Sequence, residues 1–279
     1  MIRHARTNAA AVLLGLTGLA SFLLVGCSSG FPQAGGKVPI SPRPRVLIVG
    51  DSLTVGGFGD VMEWTFCKAF GTEKVAIYGS CGASVEHWLR PEPVFTCRCG
   101  YRETTPGHRI VDDYEGGRRP RPAATPKLED LLRKYQPEVV VVQLGTNDFD
   151  TLQQGGPQVL AQQAEYFTRL ADVMVRTTGT VRRAVWVAPP DSSKFSPAIQ
   201  SAVESLILRA AQARGIYVIR SRKYTKYVPG TTGGDGVHYR TDAARDWARS
   251  VVIELNRILP PVQGGERPRA QTPAGSFGN

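Results

Sequence analysis

The sequence predicts an α/β fold, a three-layer sandwich around a five-stranded parallel, flavodoxin-like sheet, and three observations predict it. Five short apolar runs recur along the chain: Arg45–Val49, Lys74–Tyr78, Glu138–Gln143, Ala184–Ala188 and Ile216–Ile219. Their hydrophobicity is continuous rather than alternating, as in parallel strands covered on both faces. Segments with helical character lie between them, and this alternation builds a sheet with helices on both sides.

The elements follow in order. RVLIV at 45–49 is the first strand, and a helix is expected over 53–69. KVAIY at 74–78 is the second strand, followed after a long connection by a helix at 126–135. EVVVVQ at 138–143 and AVWVA at 184–188 are the third and fourth strands, with a helix at 157–177 between them. A helix at 195–214 leads to the fifth strand, IYVI at 216–219. The last helix, 240–257, carries Ala243, Ala244, Trp247, Ala248, Val251, Val252 and Leu255 at spacings of three and four, an apolar stripe for one face of the sheet.

The ends have a different character. Arg3, His4 and Arg6 precede an apolar run from Ala9 to Gly26, the layout of an export signal. The run closes on Leu24-Val25-Gly26-Cys27, which resembles a bacterial lipobox. That resemblance implies a signal peptide over 1–26 and lipidation of Cys27, with an uncleaved apolar anchor or a plain secretory signal as alternatives. Residues 27–44 are rich in Ser, Gly and Pro and read as a flexible tether. Residues 261–279 are poor in apolar side chains and read as a disordered tail. One domain is expected at 45–260. The net charge of +10, from 34 Lys plus Arg against 24 Asp plus Glu, favours acidic partners or membrane surfaces and says nothing of fold.

Four cysteines besides Cys27 suggest disulfides in an exported chain: Cys67, Cys81, Cys97 and Cys99. Cys97 and Cys99 are poorly placed to bridge each other, so each is expected to pair with one of Cys67 and Cys81. The spacing lacks a Cys-x-x-Cys and matches no usual zinc pattern.

In open α/β sheets the working residues collect beyond the carboxyl ends of the strands. Gly50-Asp51-Ser52-Leu53 follows the first strand, Gly145-Thr146-Asn147-Asp148 the third, and Asp235-Gly236-Val237-His238 precedes the last helix. Singly, each block reads as a helix cap or a turn. Together and in this order they resemble the SGNH, or GDSL, hydrolases, a family of esterases. The Gly block is matched by Gly82 after the second strand, with Gly79 as the alternative. The resemblance spans about Arg45 to Leu259.

The resemblance implies that Ser52 is the nucleophile, His238 its general base and Asp235 the carboxylate that orients the base. The residue types suit that chemistry: a Ser hydroxyl needs a base to take its proton, and imidazole titrates near neutrality. The backbone N–H groups of Ser52 and Gly82 and the side-chain amide of Asn147 are implied as oxyanion donors. No cofactor or metal is required. No Gly-x-Ser-x-Gly elbow surrounds Ser52, which separates the chain from the ordinary α/β-hydrolases.

The family's range implies an acylated small molecule or polysaccharide as substrate, with deacetylation of cell-envelope or environmental glycan the first reading. An O-acetyltransferase using the same residues and a non-catalytic glycan-binding lipoprotein are the alternatives. The expected location is the bacterial cell envelope, on a membrane through the lipid at Cys27, and no nucleic-acid recognition motif is present. Within 84–125, His87, Trp88, Tyr101 and several arginines are candidates for a sugar-binding rim. The basic run 220–227 is a candidate attractor of anionic polymer.

Overall fold

The computed structural model describes residues 45–89, 92–113 and 118–259. The expectations for the signal peptide at 1–26, Cys27 and the tether at 27–44, and the tail at 261–279 fall outside these residues. In chain order the elements are β1 (Val46–Gly50), α1 (Ser52–Val55), α2 (Gly57–Phe70) and β2 (Val75–Ser80). Four short strands follow: β3 (Thr96–Cys97), β4 (Tyr101–Thr105), β5 (His108–Asp112) and β6 (Ala123–Ala124). Then come α3 (Leu128–Tyr135), β7 (Val139–Gln143), α4 (Asp148–Gln154), α5 (Pro157–Arg176), β8 (Arg183–Val187), α6 (Pro197–Gln212), β9 (Tyr217–Ile219) and α7 (Thr241–Ile258).

The main sheet runs β5-β4-β2-β1-β7-β8-β9. Strands β2, β1, β7, β8 and β9 are parallel, so the five expected strands form the expected flavodoxin-like order. Two antiparallel strands, β4 and β5, extend the sheet beyond β2. They arise from YRETT and HRIVD, which contain no apolar run to mark them.

Alternate residues of β1 enter opposite cores. Leu47 and Val49 pack with α3, α5 and α6 through Leu131, Phe167, Leu170 and Ile207. Val46 and Ile48 pack with α2 and α7 through Phe58, Met62, Phe66, Trp247, Val251 and Leu255. The expected apolar stripe of α7 enters this second core, with Ala244, Trp247, Ala248, Val251 and Leu255 buried. The helix expected at 53–69 is interrupted at Gly56, whose backbone leaves the helical region (φ −86°, ψ −148°). The short helix α4 carries only Phe149 and Leu152 as buried apolar residues, too few to show a period.

The cysteine expectation is corrected in part. Cys81 is bonded to Cys99 with a Cα–Cα distance of 5.5 Å, whereas Cys67 and Cys97 are free. Cys67 lies on α2 against one core and Cys97 lies in the other, so the sheet stands between them. No helix among the described residues is long and apolar enough to cross a membrane.

Candidate active site

The carboxyl ends of β1, β2 and β7 and the loop before α7 meet at one end of the sheet. Beyond β1, the Asp51 side chain accepts from Leu53 N (3.0 Å) and its carbonyl accepts from Thr54 N and Val55 N. This cap starts α1 at Ser52 and fixes the position of its hydroxyl.

The loop before α7 brings His238 to it. His238 Nε2 lies 2.8 Å from Ser52 Oγ, and Nδ1 lies 2.5 Å from Asp235 Oδ2. With a carboxylate at Nδ1 the proton sits on that nitrogen, which leaves Nε2 as an acceptor facing the Ser52 hydroxyl. The other Asp235 oxygen accepts from Val237 N (2.9 Å) and His238 N (2.7 Å). Desolvation alone would raise the Asp235 carboxyl. The hydrogen bonds from His238 and the two backbone amides outweigh it and hold the group at about 2.

Neighbouring side chains hold this loop in place. Ser192 Oγ donates to the Gly236 carbonyl (2.6 Å), as do the Ser193 and Lys194 amides. Tyr227 Oη accepts from Gly236 N (3.0 Å) and donates to the His238 carbonyl (3.2 Å). Gly236 has φ +85°, and a Cβ there would stand 2.9 Å from Lys194 N, so both its conformation and the tight contact require glycine. Neither Ser192 nor Tyr227 belongs to a sequence block that marks it.

On the other side of Ser52, Gly82 sits in the loop after β2 with φ +80°. Asn147 Nδ2 donates to the Ala83 carbonyl (2.9 Å), and Val85 N donates to Asp148 Oδ2 (3.3 Å). The Ser52 and Gly82 amides donate to no acceptor among the described residues. Gly79, the alternative, lies inside β2 beneath α1, where a Cβ would approach Val55 N to 2.9 Å. Its place is packing under α1.

Comparison with known proteins follows from this geometry. A carbohydrate acetylesterase family member from Sinorhizobium meliloti superposes with a TM-score of 0.50 at 16% identity, over 77% of this chain and 99% of that one. A catalytic mutant of Axe2, an acetylxylan esterase from Geobacillus stearothermophilus, gives 0.50 at 13% identity, over 79% of this chain and 96% of the other. The chain has the SGNH hydrolase fold. In sequence, residues 125–252 match the family described as a protein of unknown function, DUF459. Protein BcsX of Komagataeibacter xylinus is 26% identical over 233 residues, 78% of this chain and 80% of that protein.

Within this SGNH fold the loop 81–85 is held at both ends. The Asn147 and Asp148 contacts fix one end. At the other, Cys81 is bonded to Cys99 and its amide donates to the Gly100 carbonyl (3.0 Å). With the Gly82 amide as the expected oxyanion donor, replacing both Cys81 and Cys99 by Ser is expected to lower kcat on a small ester on the order of tenfold, because a displacement of about an ångström would take that donor out of reach. Steady-state kinetics on the double variant checks this. An unchanged kcat would assign the bond to stability alone.

Two buried carboxylates lie beneath the site. Burial raises Asp51 to about 6, against hydrogen bonds from Leu53 N and the Gln143 side chain that lower it. Burial likewise raises Asp148 to about 7, with the charges of Asp51 and Glu86 adding to the rise. Asp148 Oδ1 is buried without a hydrogen-bond partner among the described residues. Both groups hold a proton more tightly when folded than when unfolded. Their stabilising contribution is therefore complete below the ordinary carboxylate range, near pH 4, and is lost as pH rises through about 6 to 7. Asp148→Asn is expected to flatten the fall in Tm between pH 5 and pH 8. A slope equal to wild type would place the titration elsewhere.

A cavity of about 410 Å³ opens beside Ser52 and His238, with Gly56, Phe58, Tyr239, Trp247 and the Cys81–Cys99 bond among its walls. The expected rim in 84–125 is mostly structural instead. Trp88 and Tyr101 are buried in the core, and His87 stacks on Phe95 with centroids 3.9 Å apart. Arg102 is fully buried, Arg109 pairs with Glu63, and Arg118 and Arg121 pair with Asp112. The basic run 220–227 is likewise partly neutralised, Arg220 and Arg222 by Glu204 and Lys226 by Asp191. Among the described residues no group of three or more His, Cys, Asp or Glu is arranged to hold a metal ion.

Proposed function

We propose that the chain is a serine esterase of the SGNH type that removes acetyl or other short acyl groups from polysaccharide through an acyl-Ser52 intermediate. The observation that carries this reading is the continuous hydrogen-bonded line Asp235–His238–Ser52 at the mouth of a ligand-sized cavity. The Ser52 proton passes to His238 Nε2 as Oγ bonds to the acyl carbon, and Asp235 stabilises the imidazolium that forms. The Ser52 and Gly82 amides and the Asn147 side chain are the donors assigned to the developing oxyanion. His238 returns the proton to the departing alcohol oxygen as the acyl–oxygen bond breaks. Water then repeats the sequence, releasing the acid and free Ser52.

The superposable carbohydrate acetylesterase and acetylxylan esterase support a glycan-borne acetyl group as substrate. The lipobox-like Leu24–Cys27 supports a lipid-anchored place in the bacterial envelope. The test is acetate release from acetylated xylan and from p-nitrophenyl acetate, with parallel labelling of Ser52 by a serine-reactive phosphonate. Turnover with labelling at Ser52 is expected. A folded chain that neither releases acetate nor takes the label would sink the reading.

A further inference from the structure

We infer that Gly56 sets the width of a subsite that seats one sugar ring of the leaving alcohol, a reading that rests on the esterase proposal above. The subsite belongs to the cavity beside Ser52 and His238. The cavity's volume of about 410 Å³ lies in the lower range of small-molecule sites and far exceeds the room an acetyl group fills. The part of the substrate it receives is therefore larger than the acyl group that the proposed reaction removes.

Position decides which part that is. His238 hands its proton to the leaving oxygen, so the alcohol departs on the His238 side of Ser52. The cavity wall continues from His238 into Tyr239 and on to Trp247 of α7. Its chemistry suits a pyranose. Half-buried Tyr239, its ring 6.1 Å from that of Trp247, presents aromatic surface backed by the buried Phe58–Trp247 stack, while Asp113 lies in the same lining. A sugar ring offers C–H faces to the first and hydroxyl donors to the second.

Gly56 keeps this space open. It lines the cavity, and a Cβ built there meets no atom within 4 Å. Its backbone (φ −86°, ψ −148°) does not demand glycine, since Asp51 adopts nearly the same angles (φ −93°, ψ −153°). A side chain at 56 therefore enters the cavity rather than straining the fold.

The experiment compares the full chain with Gly56→Ala and Gly56→Leu on two ester pairs. The first pair is a fully acetylated methyl xyloside and vinyl acetate, which share the acyl group and differ in the alcohol. The second is p-nitrophenyl hexanoate and p-nitrophenyl acetate, which share the alcohol and differ in the acyl chain. The ratio of kcat/KM within the first pair is expected to fall severalfold for Gly56→Ala and about tenfold or more for Gly56→Leu, through KM. The ratio within the second pair should stay near wild type. Selective loss of hexanoate instead would assign the cavity to the acyl chain and overturn the proposal, as would unchanged ratios in both pairs. Wild type inactive on all four esters would remove the esterase reading itself, an outcome distinct from either.

Discussion

Replacing Ser52 by Ala is expected to lower kcat on p-nitrophenyl acetate by about 10⁴-fold or more, with His238→Ala close behind. In the proposed mechanism the two side chains act as one unit, since a hydroxyl is a weak nucleophile until a base such as Nε2, here at 2.8 Å, takes its proton. The double variant should therefore lose little more than either single one. Asp235→Asn is expected to cost about 10²–10⁴-fold, because an amide opposite Nδ1 can favour the tautomer that points a proton at Ser52. Asp235 is held at about 2, so it stays ionised across the range in which imidazole titrates. All four proteins must show the same circular dichroism. A Ser52→Ala protein that retains a tenth of the wild-type rate would remove Ser52 from the mechanism.

The parts of this arrangement that sequence reveals are those with a strong local signal. The five parallel strands are apolar on both faces, and all five were legible within a residue or two at each end. Ser52, Asn147, Asp235 and His238 stand in short blocks at strand ends or before a helix, so their grouping at one end of the sheet follows once the strand order is known. What stayed hidden depends on distant partners. β4 reads as polar because Arg102 and Glu103 interrupt it, yet its register on β2 is fixed by backbone pairing and by the Arg102 contacts to α2. Ser192 and Tyr227 steady the Gly236 backbone across 44 and 9 residues of sequence, and nothing beside either of them marks that role. The expected cysteine pairing held for Cys81 with Cys99 and failed for Cys67 and Cys97, for a related reason. Spacing constrains how close two thiols can come along the chain, but it is blind to the sheet that separates Cys67 from Cys97.

Arg102→Ala is expected to destabilise the chain by about 3 kcal/mol, measured as a shift in the urea unfolding midpoint at constant slope. Arg102 has no solvent exposure, and its guanidinium faces Asp60 Oδ1 and Glu63 Oε2, each at 2.5 Å. Nε and Nη2 also donate to the Val55 carbonyl, at 3.1 and 2.9 Å. Truncation leaves that carbonyl and the 17%-exposed Glu63 side chain without their buried donor. The cost should fall at the lower end of the range for a broken buried pair, because Arg109 still reaches Glu63 and Asp60 is 42% exposed. The exposed Arg133–Glu129 pair on α3 supplies the control, since Arg133→Ala should change stability by less than about 1 kcal/mol. Val55 closes the single turn that begins at Ser52, so the carbonyl Arg102 holds belongs to the helix of the proposed nucleophile. The variant should therefore also lose turnover under conditions where it remains folded. Stability loss with full turnover would show that α1 keeps its geometry without this tie to β4.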